Sequence, residues 1–108
     1  MKKFMAGDIV LSAFPFTDLS NNKVRPCVVL ACDRDDFVCV FITSKKETND
    51  KFQIVTQDKK NNLKQISYVR YTKIATLSQK SSIGKIGELS AQDFLALKNN
   101  MATFLNIG

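Results

Sequence analysis

Between Gly7 and Ser44 the chain reads GDIVLSAFPFTDLSNNKVRPCVVLACDRDDFVCVFITS, three apolar runs separated by one polar loop and one tight turn. Ile9 to Leu11 begin the first run, Cys27 to Cys32 form the second and Phe37 to Ile42 the third. All three are rich in the branched and aromatic residues that fit a pleated surface. The second and third are too continuously apolar to leave one face in water, so they predict the centre of a small sheet. If they pair as a hairpin about Asp33-Arg34-Asp35-Asp36, the start of one lies beside the end of the other. Arg25, just before Pro26, then neighbours Thr43 and Ser44, where the third run gives out.

The remaining elements follow from the same signals. The first strand opens at Gly7-Asp8 and ends near Phe14, because Pro15 lacks the backbone donor a ladder needs. Phe16 to Val24 is a loop of turn-forming and polar residues. Its neighbours Phe14 and Phe16 suit either of two tasks, covering the open end of a barrel or stacking on exposed bases. After the hairpin, Lys45 to Lys51 is a charged connector and Phe52 to Thr56 a short fourth strand. Gln57 to Lys64, QDKKNNLK, has no periodic apolar face and is expected to be an exposed loop. Ile66 to Leu77 predicts one or two strands with an irregularity around Arg70 to Lys73, Ser78 to Ser82 a polar turn with at most one helical turn, and Ile83 to Leu89 a last strand.

The end of the chain predicts a helix. Ser90 is its N-cap, and Asp93 stands three residues on, where a carboxylate favours a helix start. Phe94, Leu97, Met101 and Phe104 or Leu105 recur at helical spacing, a face that plugs the core or binds a partner. The whole is a single domain, 1–108, mainly β with a C-terminal α-helix.

The net charge of +6 has a definite location. Lys45 to Lys85 holds ten cations and three acids, a balance of +7, while the rest of the chain carries −1. Such a segment either attracts a polyanion through its phosphates or is simply a solvated lysine-rich face. No apolar stretch approaches the roughly 20 residues a membrane helix needs, and no signal peptide is present, so the expected location is the cytoplasm. Cys27, Cys32 and Cys39 are odd in number and fall in apolar strands, which predicts buried thiols and no disulfide framework.

There is no histidine, which excludes Ser-His-Asp and Cys-His catalysis and leaves no transition-metal spacing. Asp33, Asp35 and Asp36 are explained by a turn, and the four glycines are too scattered for a phosphate loop. No metal and no cofactor are expected. One reaction suits a chain so poor in catalytic groups. RNA carries its own nucleophile, the 2′-hydroxyl, so the protein need only align it, stabilise charge on the phosphate and protonate the leaving 5′-oxygen. Arginine matches the second task, being always charged and able to grip phosphate oxygens in a bidentate fork.

The ordered set GDIVL, FPFTDLS, KVRPCVVL, FITS and SYVRYTKIATL resembles the MazF/PemK family of toxins from bacterial toxin-antitoxin systems, over nearly the whole chain. The resemblance implies a small SH3-like β-barrel of the MazF/CcdB type and a homodimer. It implies metal-independent, sequence-selective cleavage of single-stranded RNA to a 2′,3′-cyclic phosphate and a 5′-hydroxyl, inhibited by a cognate antitoxin protein. The family's catalytic pair, the arginine of an Arg-Pro step and a threonine ending the third strand, corresponds to Arg25 and Thr43. Thr17, Lys23, Ser44, Lys45, Gln65 and Arg70 are candidate RNA contacts; Lys73 joins Lys23 and Arg70 as a backbone contact, and Ser67 joins Gln65 if the strand after the lysine loop runs beside the third. Some members carry a loop glutamate that this SNNK linker lacks. Asp18 is the nearest carboxylate, and it serves as a base, positions the RNA or caps the loop. The alternative is a non-catalytic toxin on the same barrel, either an inert remnant or a CcdB-like gyrase poison, since fold alone does not fix chemistry.

Overall fold

The computed structural model describes residues 4–14, 23–46 and 51–108. Its elements are β1 (Asp8–Phe14), β2 (Lys23–Asp33), β3 (Asp36–Thr43), β4 (Gln53–Val55), β5 (Ser67–Ser78), a 3-10 turn (Gln79–Ser81), β6 (Ser82–Glu88) and α1 (Ala91–Leu105). The strands form one antiparallel sheet in the order β4-β5-β3-β2-β1-β6.

The continuous apolar runs are explained by burial on both faces of the central strands. Alternate residues of β1, β2 and β3, namely Val10, Cys27, Val29, Phe37, Cys39 and Phe41, share one core with Phe4 and Leu77. Their neighbours Ile9, Val28, Val40 and Ile42 build a second core with Val55, Val69, Leu97 and Met101. α1 therefore covers only one side of the sheet. It begins at Ser90, whose hydroxyl accepts the Asp93 N–H at 3.1 Å, and ends at Asn106 in the left-handed conformation. Gln53 ties it to β4, donating to the Asp93 carbonyl at 3.0 Å and accepting from Asn100 at 3.0 Å.

β4 and β6, the two ends of the sheet, do not pair with each other. The segment after β4 bridges them. Glu88 N–H of β6 donates to the Lys60 carbonyl at 3.0 Å, and the Asn62 amide donates to the Ile86 carbonyl at 2.8 Å. The expected barrel thus closes through a loop where a strand pair is missing.

That bridge corrects the reading of Gln57 to Lys64 as merely exposed. Asn61 is fully buried. Its side-chain oxygen accepts the Asp58 and Leu63 N–H groups, and its amide nitrogen donates to the Thr56 carbonyl at 2.9 Å. A buried amide with its partners supplied in this way is stable. It also packs so tightly on β6 that a Cβ at Gly87 would lie 2.4 Å from the Asn61 carbonyl oxygen.

Other expectations need smaller corrections. β2 starts at Lys23, so Lys23 and Val24 belong to a strand. Cys32 is exposed, its thiol donating to the Phe4 carbonyl at 3.1 Å, because β2 runs past the core before the Arg34-Asp35 turn. Cys27 and Cys39 are buried, and a hydrogen bond between them, with burial, pushes the Cys27 thiol far up. Phe104 and Leu105 are exposed: α1 buries Leu97 and Met101, while Phe104 packs edge-to-face on Tyr71 of β5 with centres 6.2 Å apart. The irregularity expected in Arg70 to Lys73 is a bulge, since the β3 register steps from Phe41↔Arg70 to Val40↔Ile74. No helix among the described residues is long and apolar enough to cross a membrane.

Candidate active site

The β2–β3 register determines the centre of the site. Cys27 faces Phe41, so two residues nearer the open end Arg25 comes opposite Thr43, on the same face of the sheet. Both are half-buried and line a cleft of about 340 Å³. Ser44 and Lys45 follow Thr43 along one wall, and Lys64, Gln65 and Ser67 form the other. The cleft is therefore built where β2 and β3 run out of core and the bridging loop returns to β5.

Arg25 does not extend freely into water. Its guanidinium lies 6.0 Å from the centre of the Phe41 ring, and the Arg70 guanidinium, from the neighbouring strand, lies 5.3 Å from the same centre. A ring face attracts cations, so one nearly buried phenylalanine gathers two fixed positive charges on one side of the sheet. The Thr43 hydroxyl accepts the Lys45 N–H at 3.1 Å. That bond uses a lone pair and leaves the hydroxyl proton to be donated. Ser67, by contrast, donates its hydroxyl to the Gln65 carbonyl at 3.0 Å, so it serves the turn more than the cleft.

The structure thus brings together Arg25, Thr43, Ser44, Lys45 and Gln65 in one cleft, with Arg70 behind Phe41. Lys73 stands away in the bulge, exposed. Lys23 pairs with Phe14 through the backbone at the start of β2; its side chain, and Thr17 and Asp18 entirely, lie outside the described residues. Sequence reasoning counted Lys64 in the basic segment and in an exposed loop without placing it at the site, and it missed Tyr68, which faces Thr43 across the β3–β5 ladder. Tyr68 was within reach of inference, because it stands two residues from Arg70 and so shares its face. Among the described residues no three Cys, Asp or Glu side chains group as metal ligands.

A cleft walled by lysines, with an arginine and a hydroxyl at its base, is suited to a phosphodiester. Residues 5–105 match the family described as the PemK-like, MazF-like toxin of type II toxin-antitoxin systems. The chain belongs to this family. No curated protein sequence matches this MazF-like toxin directly, but solved structures do. The Mycobacterium tuberculosis toxin MazF-mt6 superposes with a TM-score of 0.74 at 20% identity, over 94% of this chain and 98% of that one. A mycobacterial endoribonuclease in complex with its cognate antitoxin gives 0.75 at 18% identity, over 98% of each chain. The MazE-MazF complex of Deinococcus radiodurans gives 0.72 at 17% identity, over 95% of this chain and 96% of that one. At such identities the likeness establishes a MazF-like fold.

Proposed function

We propose that this toxin is a metal-independent, sequence-selective endoribonuclease acting on single-stranded RNA, with Arg25 and Thr43 as its catalytic pair. The observation that carries the reading is their convergence at the base of a cationic cleft. The 2′-oxygen of one nucleotide attacks the adjoining phosphorus, the bond to the 5′-oxygen breaks and that oxygen takes a proton from solvent water, so that a 2′,3′-cyclic phosphate and a 5′-hydroxyl result. Arg25 stabilises the charge that grows on the non-bridging oxygens, and Thr43 donates its hydroxyl proton to one of them. Lys45, Lys64 and Arg70 hold the flanking phosphates, with Ser44 and Gln65 as polar contacts at the rim. Asp18 takes the 2′-hydroxyl proton, a role supported by sequence alone, and Thr17 and Lys23 contact the RNA beside it.

The toxin acts in the cytoplasm as a homodimer, neutralised by a cognate antitoxin. The family description and the antitoxin complex of a similar endoribonuclease support that partner. The test is the chemistry of the ends. Antitoxin-free protein is incubated with a broad mixture of RNAs, and the fragments are mapped and their termini identified. A repeated short cleavage sequence with cyclic phosphate and 5′-hydroxyl termini is expected. Folded protein that leaves every RNA intact refutes the reading and favours a binding toxin on the same barrel.

A further inference from the structure

The row of residues that carries Arg25 and Thr43 continues across the sheet. Thr43 faces Tyr68 on β5, and Tyr68 faces Ile54 on β4. With Arg25 opposite Thr43, this gives one rung of four side chains on one face, spanning about 14 Å at the usual strand spacing. Its first half is polar and cationic, and its second half is apolar. Ile54 is 56% exposed although it is a large aliphatic residue in a strand. Phe52, two residues before Ile54 and so on the same face, packs its ring edge-to-face on Tyr68, with centres 5.2 Å apart and planes at 81°. The Lys46 ammonium lies 5.9 Å from the centre of the Phe52 ring.

An aromatic pair held at right angles, half-buried beside a phosphate cleft and carrying a cation over its Phe52 ring, has the composition of a base-stacking platform. A hydrophobic core has no use for the lysine, and a surface strand has no use for the exposed isoleucine and both rings together. We infer that Tyr68, Phe52 and Ile54 form a shelf that stacks the base of a nucleotide immediately flanking the scissile phosphate, while Lys46 meets the phosphate beyond it. This rests on the RNA-cleaving role proposed above, and it assigns a binding subsite to residues with no part in the chemical step. The shelf is continuous with the cleft along the rung. Its cation and the lysines of the cleft match the charge of a nucleic-acid strand, which favours RNA over an apolar protein segment as the occupant.

The experiment uses the full chain and a short RNA containing the mapped cleavage sequence, made uncleavable by one 2′-deoxy residue at the scissile position. Affinity is measured for wild type, Tyr68→Leu, Phe52→Leu and Tyr68→Phe, each checked for native folding by circular dichroism. A second set of RNAs lacks one base on either side of the scissile phosphate. Tyr68→Leu and Phe52→Leu are expected to weaken binding about 10-fold, with Tyr68→Phe close to wild type. In Tyr68→Leu the dependence of affinity on salt keeps its slope, because no phosphate contact is lost. One of the two abasic RNAs loses the same factor with wild type and loses nothing further with Tyr68→Leu, the mark of a shared contact. Phe52→Leu, at the mouth of β4, serves if Tyr68→Leu does not fold. Unchanged affinity in both leucine variants, or abasic and protein losses that simply multiply, overturns the shelf and leaves this face to a protein partner. If wild type cleaves no RNA, it is the nuclease reading that has failed, which the mapping step shows before the shelf is tested.

Discussion

Gly87→Ala tests whether the bridge from β4 to β6 holds the barrel shut. A Cβ at Gly87 meets the Asn61 carbonyl oxygen at 2.4 Å, the Asn61 carbonyl carbon at 2.7 Å and the Lys60 carbonyl oxygen at 2.8 Å. All are backbone atoms, so no side chain can rotate away. To restore ordinary contact near 3.4 Å the loop must retreat about 1 Å. That movement stretches the Glu88 to Lys60 and Asn62 to Ile86 hydrogen bonds and disturbs the buried Asn61 amide. Overpacking costs about 1–3 kcal/mol and each of the two weakened hydrogen bonds about 1 kcal/mol, which together give about 3–5 kcal/mol. For a domain of this size the melting temperature should fall by roughly 12–20 °C. Gly84 supplies the control, because nothing lies within 4 Å of its Cβ position. Gly84→Ala should melt within about 2 °C of wild type. Thermal unfolding followed by circular dichroism reads both. A Gly87→Ala protein as stable as Gly84→Ala would refute the claim that this loop closes the fold.

Three further predictions concern charge and chemistry. Lys85 contacts both Glu88, at 3.0 Å, and Asp8, at 3.2 Å, and holds the Glu88 carboxyl below its ordinary value with help from Lys60. A depressed carboxylate contributes stability above its unfolded value of 4.5 and loses it as pH falls through the lower folded value. The melting temperature should therefore drop on acidification below about pH 4.5, less steeply in Glu88→Gln and less steeply in high salt, since the carboxylate is at the surface. Thr43→Val keeps the shape of the side chain but removes the donated proton. It should lower kcat about 100-fold with little change in KM, and an unchanged kcat would leave Thr43 a turn residue only. Asp18→Asn should slow cleavage and remove the acidic limb of its pH profile; full activity in that variant while Arg25→Ala is dead would end the base assignment.

The three apolar runs made the centre of the fold legible, because burial on both faces leaves no polar alternation to misread. The hairpin also brought Arg25 to the neighbourhood of Thr43 and Ser44, but counting from the turn alone would set it opposite Ser44; a one-residue register shift between Val29 and Ala31 is what sets it opposite Thr43. What was illegible depended on contacts distant in sequence. QDKKNNLK is polar at nearly every position, yet Asn61 is buried because it pairs with its own loop and packs on Gly87, twenty-six residues on. Phe104 has the spacing of a core residue, yet it meets only the edge of Tyr71 on β5 and stays 41% exposed. The shelf of Phe52, Ile54 and Tyr68 was hidden for another reason. Tyr68 comes from β5, Ile54 from a strand only three residues long and Phe52 from the residue before it, and no local pattern reveals their mutual register.

The role proposed for Arg25, driving attack by the RNA's own 2′-hydroxyl, is open to a direct test. The most direct measurement is single-turnover cleavage in EDTA of a mapped oligonucleotide and of its copy with one 2′-deoxy residue at the scissile position, by wild type and Arg25→Ala. Wild type should cut the ribose substrate and leave the deoxy copy whole, while Arg25→Ala should be slower by at least about 100-fold. Cleavage of the deoxy copy, or equal rates for the two proteins, would contradict the account.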